Sequence, residues 1–154
     1  MNIRIAPMSP EHLDATAALH EATFKEIGVT AAGFREAVER GGPEIWIALE
    51  NEIVVGYTVV QTRPRVFYWN WFGVSPEHRN KGIGTSLLKK VMERATASSA
   101  QTIDLDSRNR YVDALRFYLK HGFLIVGAYL QDDGELMIKL RYRFSASQAV
   151  TPHT

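Results

Sequence analysis

The residues with the clearest chemical potential lie together as Arg79-Asn80-Lys81-Gly82-Ile83-Gly84, followed by Thr85. Two glycines one residue apart remove Cβ atoms where a phosphate or a ligand's backbone needs close approach. The run from Leu87 to Ala95 has helical spacing. The first turn of such a helix leaves N–H groups without intrahelical partners at its positive end. The run before the loop, Val66 to Val74, is apolar and aromatic, and Pro76 marks its end because proline cannot donate to a sheet. A strand feeding a glycine-bearing turn into a helix N-terminus is a phosphate cradle. An ordinary strand–helix turn with basic residues facing water has the same local sequence. The spacing of a Walker loop is absent, and the dinucleotide fingerprint lacks its third glycine, because Leu87 stands there.

Asp104 and Asp106, at i and i+2, share one face of a strand. They are candidate general bases or a trap for a cationic substrate, and equally a half-exposed polar face, the commoner fate of aspartates. Tyr118 carries a hydroxyl whose ordinary pKa of about 10 keeps it protonated at neutral pH. On a helix it reads just as well as a tyrosine packed on a sheet. Trp69 and Trp71 line an acceptor pocket or fill a core. His20, Glu21 and Glu26 read as solvated groups, with Glu26 retained as a candidate acceptor contact. The five histidines show no paired ligand spacing, so no metal is expected. With no cysteine there is no disulfide scaffold, thiolate metal site or cysteine nucleophile. A serine hydrolase elbow is also missing.

The elements that must position these groups follow from periodicity. Asn2 to Ala6 is a short strand. Ser9 and Pro10 open a helix to Lys25 with Leu13, Ala17 and Phe24 on one stripe. Gly28 interrupts, and Ala31 to Arg40 is a second helix. Ile45 to Leu49 and Ile53 to Gln61 form a hairpin, with Gly56 permitting a bulge or close packing. Val66 to Val74 is apolar on both faces and therefore expected to be central and covered on both sides. Its Asn70 would then be a buried amide in need of partners. The helix after the loop carries Leu87, Leu88, Val91, Met92 and Ala95 inward, with Lys89–Glu93 as an i,i+4 pair. Thr102 to Ser107 is a strand and Val112 to Lys120 a helix stopped by Gly122. Phe123 to Tyr129 and Leu136 to Arg143 are two further strands. Residues 1–144 are expected as a single domain and 145–154 as a frayed tail.

With 154 residues, 45% hydrophobic and 23% charged, the chain has an ordinary globular composition. A net charge of +1 suggests no general nucleic-acid binding. No apolar run approaches the roughly 18 residues of a membrane span, and the N-terminus lacks a signal-peptide core. A cytoplasmic protein without membrane association is the expectation.

The Arg-x-x-Gly-x-Gly of Arg79 to Gly84 resembles the pyrophosphate-binding signature of the GNAT superfamily of acyl-CoA-dependent N-acetyltransferases. Ile103-x-Leu105, Asn109, Ala114 and Phe117-Tyr118-x-x-x-Gly122-Phe123 resemble a second part of that family's pattern, and the order of elements matches from Ile3 to Tyr142. One departure stands: Asn109 to Tyr118 is two residues longer than the commonest family spacing. If the helix fixes the frame, Tyr111 takes the asparagine's place.

The resemblance implies an α/β fold of GNAT type, a mixed, mostly antiparallel sheet of six to seven strands flanked by about four helices, with a splayed central strand pair. It implies acetyl transfer from acetyl-CoA to a primary amine of a small molecule or protein. Phe72, Gly73 and Val74 would hold the pantetheine arm, and a backbone N–H near Val74 would polarise the carbonyl. Arg79, Asn80, Lys81, Gly82, Ile83, Gly84, Thr85 and Asn109 would contact the cofactor, mainly through backbone, with Arg79 a candidate side-chain ligand. Tyr118 would be the general acid to the thiolate. Glu26, Asp104, Asp106 and a water chain are candidates for the base. Acceptor specificity would lie in Thr23 to Thr30 and the hairpins, and Trp69 and Trp71 would favour an apolar or aromatic acceptor. A homodimer is allowed. The rival reading is a CoA-binding regulatory or sensor module without catalysis.

Overall fold

The computed structural model describes residues 2–145, so the segment expected as a tail lies outside the described residues apart from Ser145. The elements are β1 (Ile3–Pro7), α1 (Leu13–Thr23), α2 (Ala31–Arg40), β2 (Glu44–Glu50), β3 (Ile53–Arg63), β4 (Val66–Val74), α3 (Ile83–Ala97), β5 (Thr102–Arg108), α4 (Val112–Lys120), β6 (Leu124–Leu130) and β7 (Leu136–Arg143). Short 3-10 turns occupy Pro10–His12, Lys25–Ile27 and Pro76–His78. The strands form one seven-stranded sheet in the order β1-β2-β3-β4-β5-β7-β6, as expected of a mixed, mostly antiparallel sheet with β4 at its centre. The β4–β5 contact is parallel and engages Val66, Phe67 and Tyr68 with Thr102, Ile103 and Asp104, while β4 itself runs on to Val74.

Two compact units emerge. The first comprises residues up to Gln61 together with Trp71–Glu93, and the second comprises Thr62–Asn70 and the chain from Arg94 onward. In the first unit, α1 and α2 cover a core of Ala17, Phe34, Ile45, Ile47, Leu49, Tyr57 and Val59. A second cluster joins Ala48 and Val55 to Ile83 and Leu87 of α3. The β2–β3 register slips between Ala48 and Leu49, so Val55 is an extra residue on β3 and the hairpin bulges there. The close packing anticipated at Gly56 is present: a Cβ there would lie 3.0 Å from Leu87, 3.2 Å from Ile83 and 3.3 Å from the Gly73 carbonyl. Gly73 is more confined still, because its Cβ would stand 2.7 Å from the Tyr57 ring and 3.2 Å from Thr23.

The second unit centres on β5, whose Ile103 and Leu105 are buried and whose far edge pairs antiparallel with β7. Trp69, Tyr118 and Phe123 pack edge to face or tilted, with centroids 5.4–6.0 Å apart. These rings tie α4 to the strand.

Several expectations are corrected. α3 begins at Ile83 rather than Leu87, because the buried Ile83 side chain belongs to the core stripe and starts the helix inside the glycine-bearing motif. β4 is not covered on both sides: Tyr68 and Asn70 are exposed, so the Asn70 amide is solvated and needs no buried partner. The pair on α3 is Lys90–Glu93 at 3.0 Å, with the Lys90 ammonium 4.7 Å above the Trp46 ring, a contact that draws Lys90 to its own side of the helix.

Because Gly73 is wedged against an aromatic ring, Gly73→Ala is expected to destabilise by about 1–3 kcal/mol through overpacking. A Cβ at Gly127 meets only the Lys139 Cδ, at 3.6 Å, so Gly127→Ala should change stability by less than about 0.5 kcal/mol. Urea denaturation at constant m-value distinguishes the two outcomes.

Candidate functional site

β4 delivers the chain to the loop. Ser75 N–H makes a last ladder bond to the Val55 carbonyl at 2.8 Å, after which Pro76–His78 turns the chain away. His78 Nε2 lies 2.8 Å from Glu50 Oε2, pinning the turn to the end of β2. Arg79 Nε donates to the Val74 carbonyl at 3.1 Å, so this guanidinium, a candidate side-chain phosphate ligand, braces the strand end.

Asn80 (φ +63°) and Gly82 (φ +83°) are left-handed on either side of the exposed Lys81. Asparagine tolerates that conformation and glycine is at home in it. Nothing crowds the Cβ position of Gly82, so glycine is required there by backbone shape and not by space. Ser86 N–H and Oγ both donate to the Gly82 carbonyl, at 3.0 and 3.1 Å. That carbonyl is the first acceptor of the helix ladder, and the N–H groups of Ile83, Gly84 and Thr85 precede the ladder. The buried Ile83 side chain anchors this turn, while Thr85 faces water. The result is an exposed, positively polarised helix end flanked by Arg79 and Lys81, suited to an anion with several acceptor oxygens.

Directly upstream, Gly73 is buried, and Phe72 and Val74 pack on the Ala48–Val55–Ile83–Leu87 cluster. Across Gly73 stand Thr23 and Tyr57, and the Tyr57 hydroxyl lies 2.6 Å from His20 Nδ1. The His20 ring is enclosed by Phe24, Phe34, Tyr57 and Trp71 at 4.7–5.7 Å between centroids. Burial lowers its pKa to about 4, so the imidazole is neutral at pH 7. His20 was expected to be solvated; it is buried. The signal was available, since His20 continues the stripe of Leu13, Ala17 and Phe24 at helical spacing. Glu21, by contrast, caps α2 by accepting from the Ala31 N–H at 2.8 Å. Glu26 is exposed on the Lys25–Ile27 turn.

The two tryptophans, placed on one face by strict alternation, join different clusters. Trp71 packs on His20 and Phe24 in the first unit, and Trp69 on Tyr118 and Phe123 in the second. The division falls between Asn70 and Trp71.

In the second unit Tyr118 is buried, and desolvation raises the pKa of its hydroxyl well above the ordinary phenol value. Asn109 is exposed and its N–H donates to the Leu136 carbonyl at 2.9 Å, while Tyr111 occupies the N-cap of α4. Asp104 accepts both arms of Arg141 at 2.9 Å. Asp106 accepts from the Tyr129 hydroxyl at 2.6 Å and lies 3.5 Å from Lys139 Nζ. Both carboxylates are therefore neutralised by partners on β6 and β7.

Residues 9–123 match the profile of the Acetyltransferase (GNAT) family. Aminoalkylphosphonate N-acetyltransferase of Salmonella typhimurium is 32% identical over 83 residues, which is 50% of this chain and 54% of that protein. The chain thus spans about half the length of that curated relative. The ribosomal-protein-S18-alanine N-acetyltransferase of Escherichia coli superposes with a TM-score of 0.78 at 16% identity, over 94% of this chain and 95% of that one. A GNAT family acetyltransferase from Elizabethkingia anophelis with acetyl-CoA bound gives 0.73 at 20%, over 93% and 99%. Likeness at these identities establishes the fold.

Because the fold holds His20 neutral while an unfolded chain protonates it near pH 6.5, the unfolded state binds more protons between that pH and about 4. Stability is expected to fall as pH drops through that window, with no contribution from His20 above it. His20→Gln, although less stable overall, should lose this part of the slope. NMR titration of the ring should show a midpoint near 4; a midpoint near 6.5 would contradict its burial.

Proposed function

The chain belongs to the GNAT acetyltransferase family, and we propose that it transfers an acetyl group from acetyl-CoA to a primary amine of a small molecule or protein. The observation that carries this reading is the Arg79–Thr85 loop. Its left-handed Asn80 and Gly82 set the N–H groups of Ile83, Gly84 and Thr85 at a helix terminus, where a pyrophosphate finds several donors and the positive end of a dipole. Acetyl-CoA brings the activated thioester. In this reading the backbone of Phe72, Gly73 and Val74 aligns the pantetheine arm, and an N–H near Val74 polarises the thioester carbonyl. Tyr118, kept protonated by burial, hydrogen-bonds the thiolate as the C–S bond breaks and hands it a proton.

The engaged carboxylates of Asp104 and Asp106 speak against either as the base for the amine. Glu26, exposed on the Lys25–Ile27 turn, and water are left as the candidates to take that proton. The half-buried Phe24 and Trp71 support an acceptor with an apolar part next to its amine. Amine acceptors also suit the relatives, one named for aminoalkylphosphonates and one for a protein alanine.

Acetyl-CoA at 100 times its Kd should add about 2.7 kcal/mol, raising the melting temperature by about 5–10 °C. Gly84→Glu, which sets a carboxylate among the first-turn N–H groups, should abolish that rise. Tyr118→Phe should lower kcat by about 10²–10⁴-fold with little change in KM for acetyl-CoA. Stabilisation by acetyl-CoA without thiol release across an amine panel would instead favour a non-catalytic sensor. No stabilisation at all would remove the cofactor reading.

A further inference from the structure

We propose that His78 is a positioning residue for the anion-binding loop. Through its contact with Glu50 it fixes the near end of the Arg79–Gly82 segment, and so sets the affinity for the diphosphate of acetyl-CoA. The inference rests on the acetyl-transfer reading of that loop. Glu50 is a firm point from which to hold it. This residue ends β2, pairs with Ile3 on one side and Ile53 on the other, and is followed by left-handed Asn51 and Glu52. It lies two positions beyond Ala48, so strand alternation sends its side chain to the face where Ala48 packs with Ile83 and Leu87 of α3. The loop that opens α3 returns to that same face.

The root of the loop is tied twice to the β2–β3 hairpin: by Ser75 N–H on the carbonyl of the bulge residue Val55 at 2.8 Å, and by the His78 ring on Glu50. Beyond the root there is little else. The Arg79 N–H reaches the Pro76 carbonyl only at 3.5 Å, and the bond from Arg79 Nε to Val74 is exposed to water. Among the described residues, Asn80 and Lys81 make no hydrogen bond. Fixed structure resumes at the buried Ile83. Arg79 to Gly82 are therefore strung between two anchors, His78 and Ile83. When one anchor is lost, the ligand must supply the ordering that the fold no longer provides, and affinity falls by that cost.

The imidazole itself separates positioning from packing. Its Nε2 lies 2.8 Å from Glu50 Oε2, whereas its Nδ1 is buried with no hydrogen-bond partner. A buried acceptor left without a donor is costly. A ring kept only to fill space would gain from phenylalanine, which has similar bulk and no stranded nitrogen. What histidine supplies at this position, and phenylalanine cannot, is the hydrogen bond to Glu50. The two roles thus predict opposite outcomes for H78F: binding as tight as wild type if the ring merely packs, and weakened binding if it holds the loop.

The test is calorimetric titration of the full chain with acetyl-CoA, with no amine present. H78F and E50A should each raise the Kd at least tenfold. H78Q, whose amide nitrogen reaches the place of Nε2 and restores a donor to Glu50, should stay within threefold of wild type. The double variant H78F/E50A should bind within twofold of the weaker single variant, because both changes remove one contact. If H78F does not fold, E50A against H78Q carries the same comparison. A wild type that binds acetyl-CoA while H78F or E50A binds as tightly overturns this inference alone. So does an H78Q that loses as much as E50A, or a double variant whose losses multiply. A wild type that binds no acetyl-CoA removes the acetyl-transfer reading and this inference with it.

Discussion

A methyl group at position 73 would collide with the Tyr57 ring on one side of β4, and a methyl group at position 56 would press on the Gly73 carbonyl and on Ile83 and Leu87. Three layers of the first unit thus meet through two residues that lack side chains. α1 contributes Thr23 and, through its hydrogen bond, His20; β3 contributes Tyr57 and Gly56; α3 contributes its first buried turn. The dense packing of protein interiors means that a shift in any of these is felt by the others. The N–H groups that open α3 inherit their direction from this contact, because Ile83 is both a wall of the Gly56 site and the first residue of the helix.

The electrostatics divide in the same way. The loop leaves its donors and basic side chains in water, where an anion can reach them, and places its one histidine, His78, against Glu50. The interior of the first unit keeps its histidine uncharged and hydrogen-bonded. In the second unit each aspartate of β5 is matched with a cation or a hydroxyl on the neighbouring strands, and burial keeps Tyr118 from ionising. Charge is available at the loop and quenched nearly everywhere else that a site residue sits.

Much of this was legible in the sequence, for identifiable reasons. α2, α4 and β7 run between the residues that periodicity assigned, because each is bounded by a glycine, a turn or a charge change. The loop was legible because left-handed backbone favours asparagine and glycine, which are written at positions 80 and 82. Partnership between residues distant in the chain was not. His20 and Tyr57 are 37 positions apart, and neither spacing nor residue type announces the bond, although the helical stripe already contained the histidine. Asp104 and Asp106 face Arg141, Lys139 and Tyr129 only because of the β5–β7 and β6–β7 registers. The β5–β7 register is regular, while the β6–β7 register contains a bulge at Val126 that no local pattern signals. The aromatic content of β4 suggested burial on both faces, yet two of its side chains face solvent, since residue type reports what a strand can bury and not what is there to cover it.

The interleaved make-up of the two units bears on how the chain is made. When the chain has left the ribosome as far as Gln61, α1, α2 and the β2–β3 hairpin exist as sequence, but the β4 segment and the α3 helix that complete their core have yet to be synthesised. Tyr57 and Val55 have no β4 or α3 to pack on until about thirty more residues emerge, which at roughly 5–20 residues per second is a matter of seconds. Nascent chains of this protein therefore pass through an interval with an open hydrophobic hairpin. Codon choice and chaperone capture between residues 62 and 93 become part of its physical chemistry.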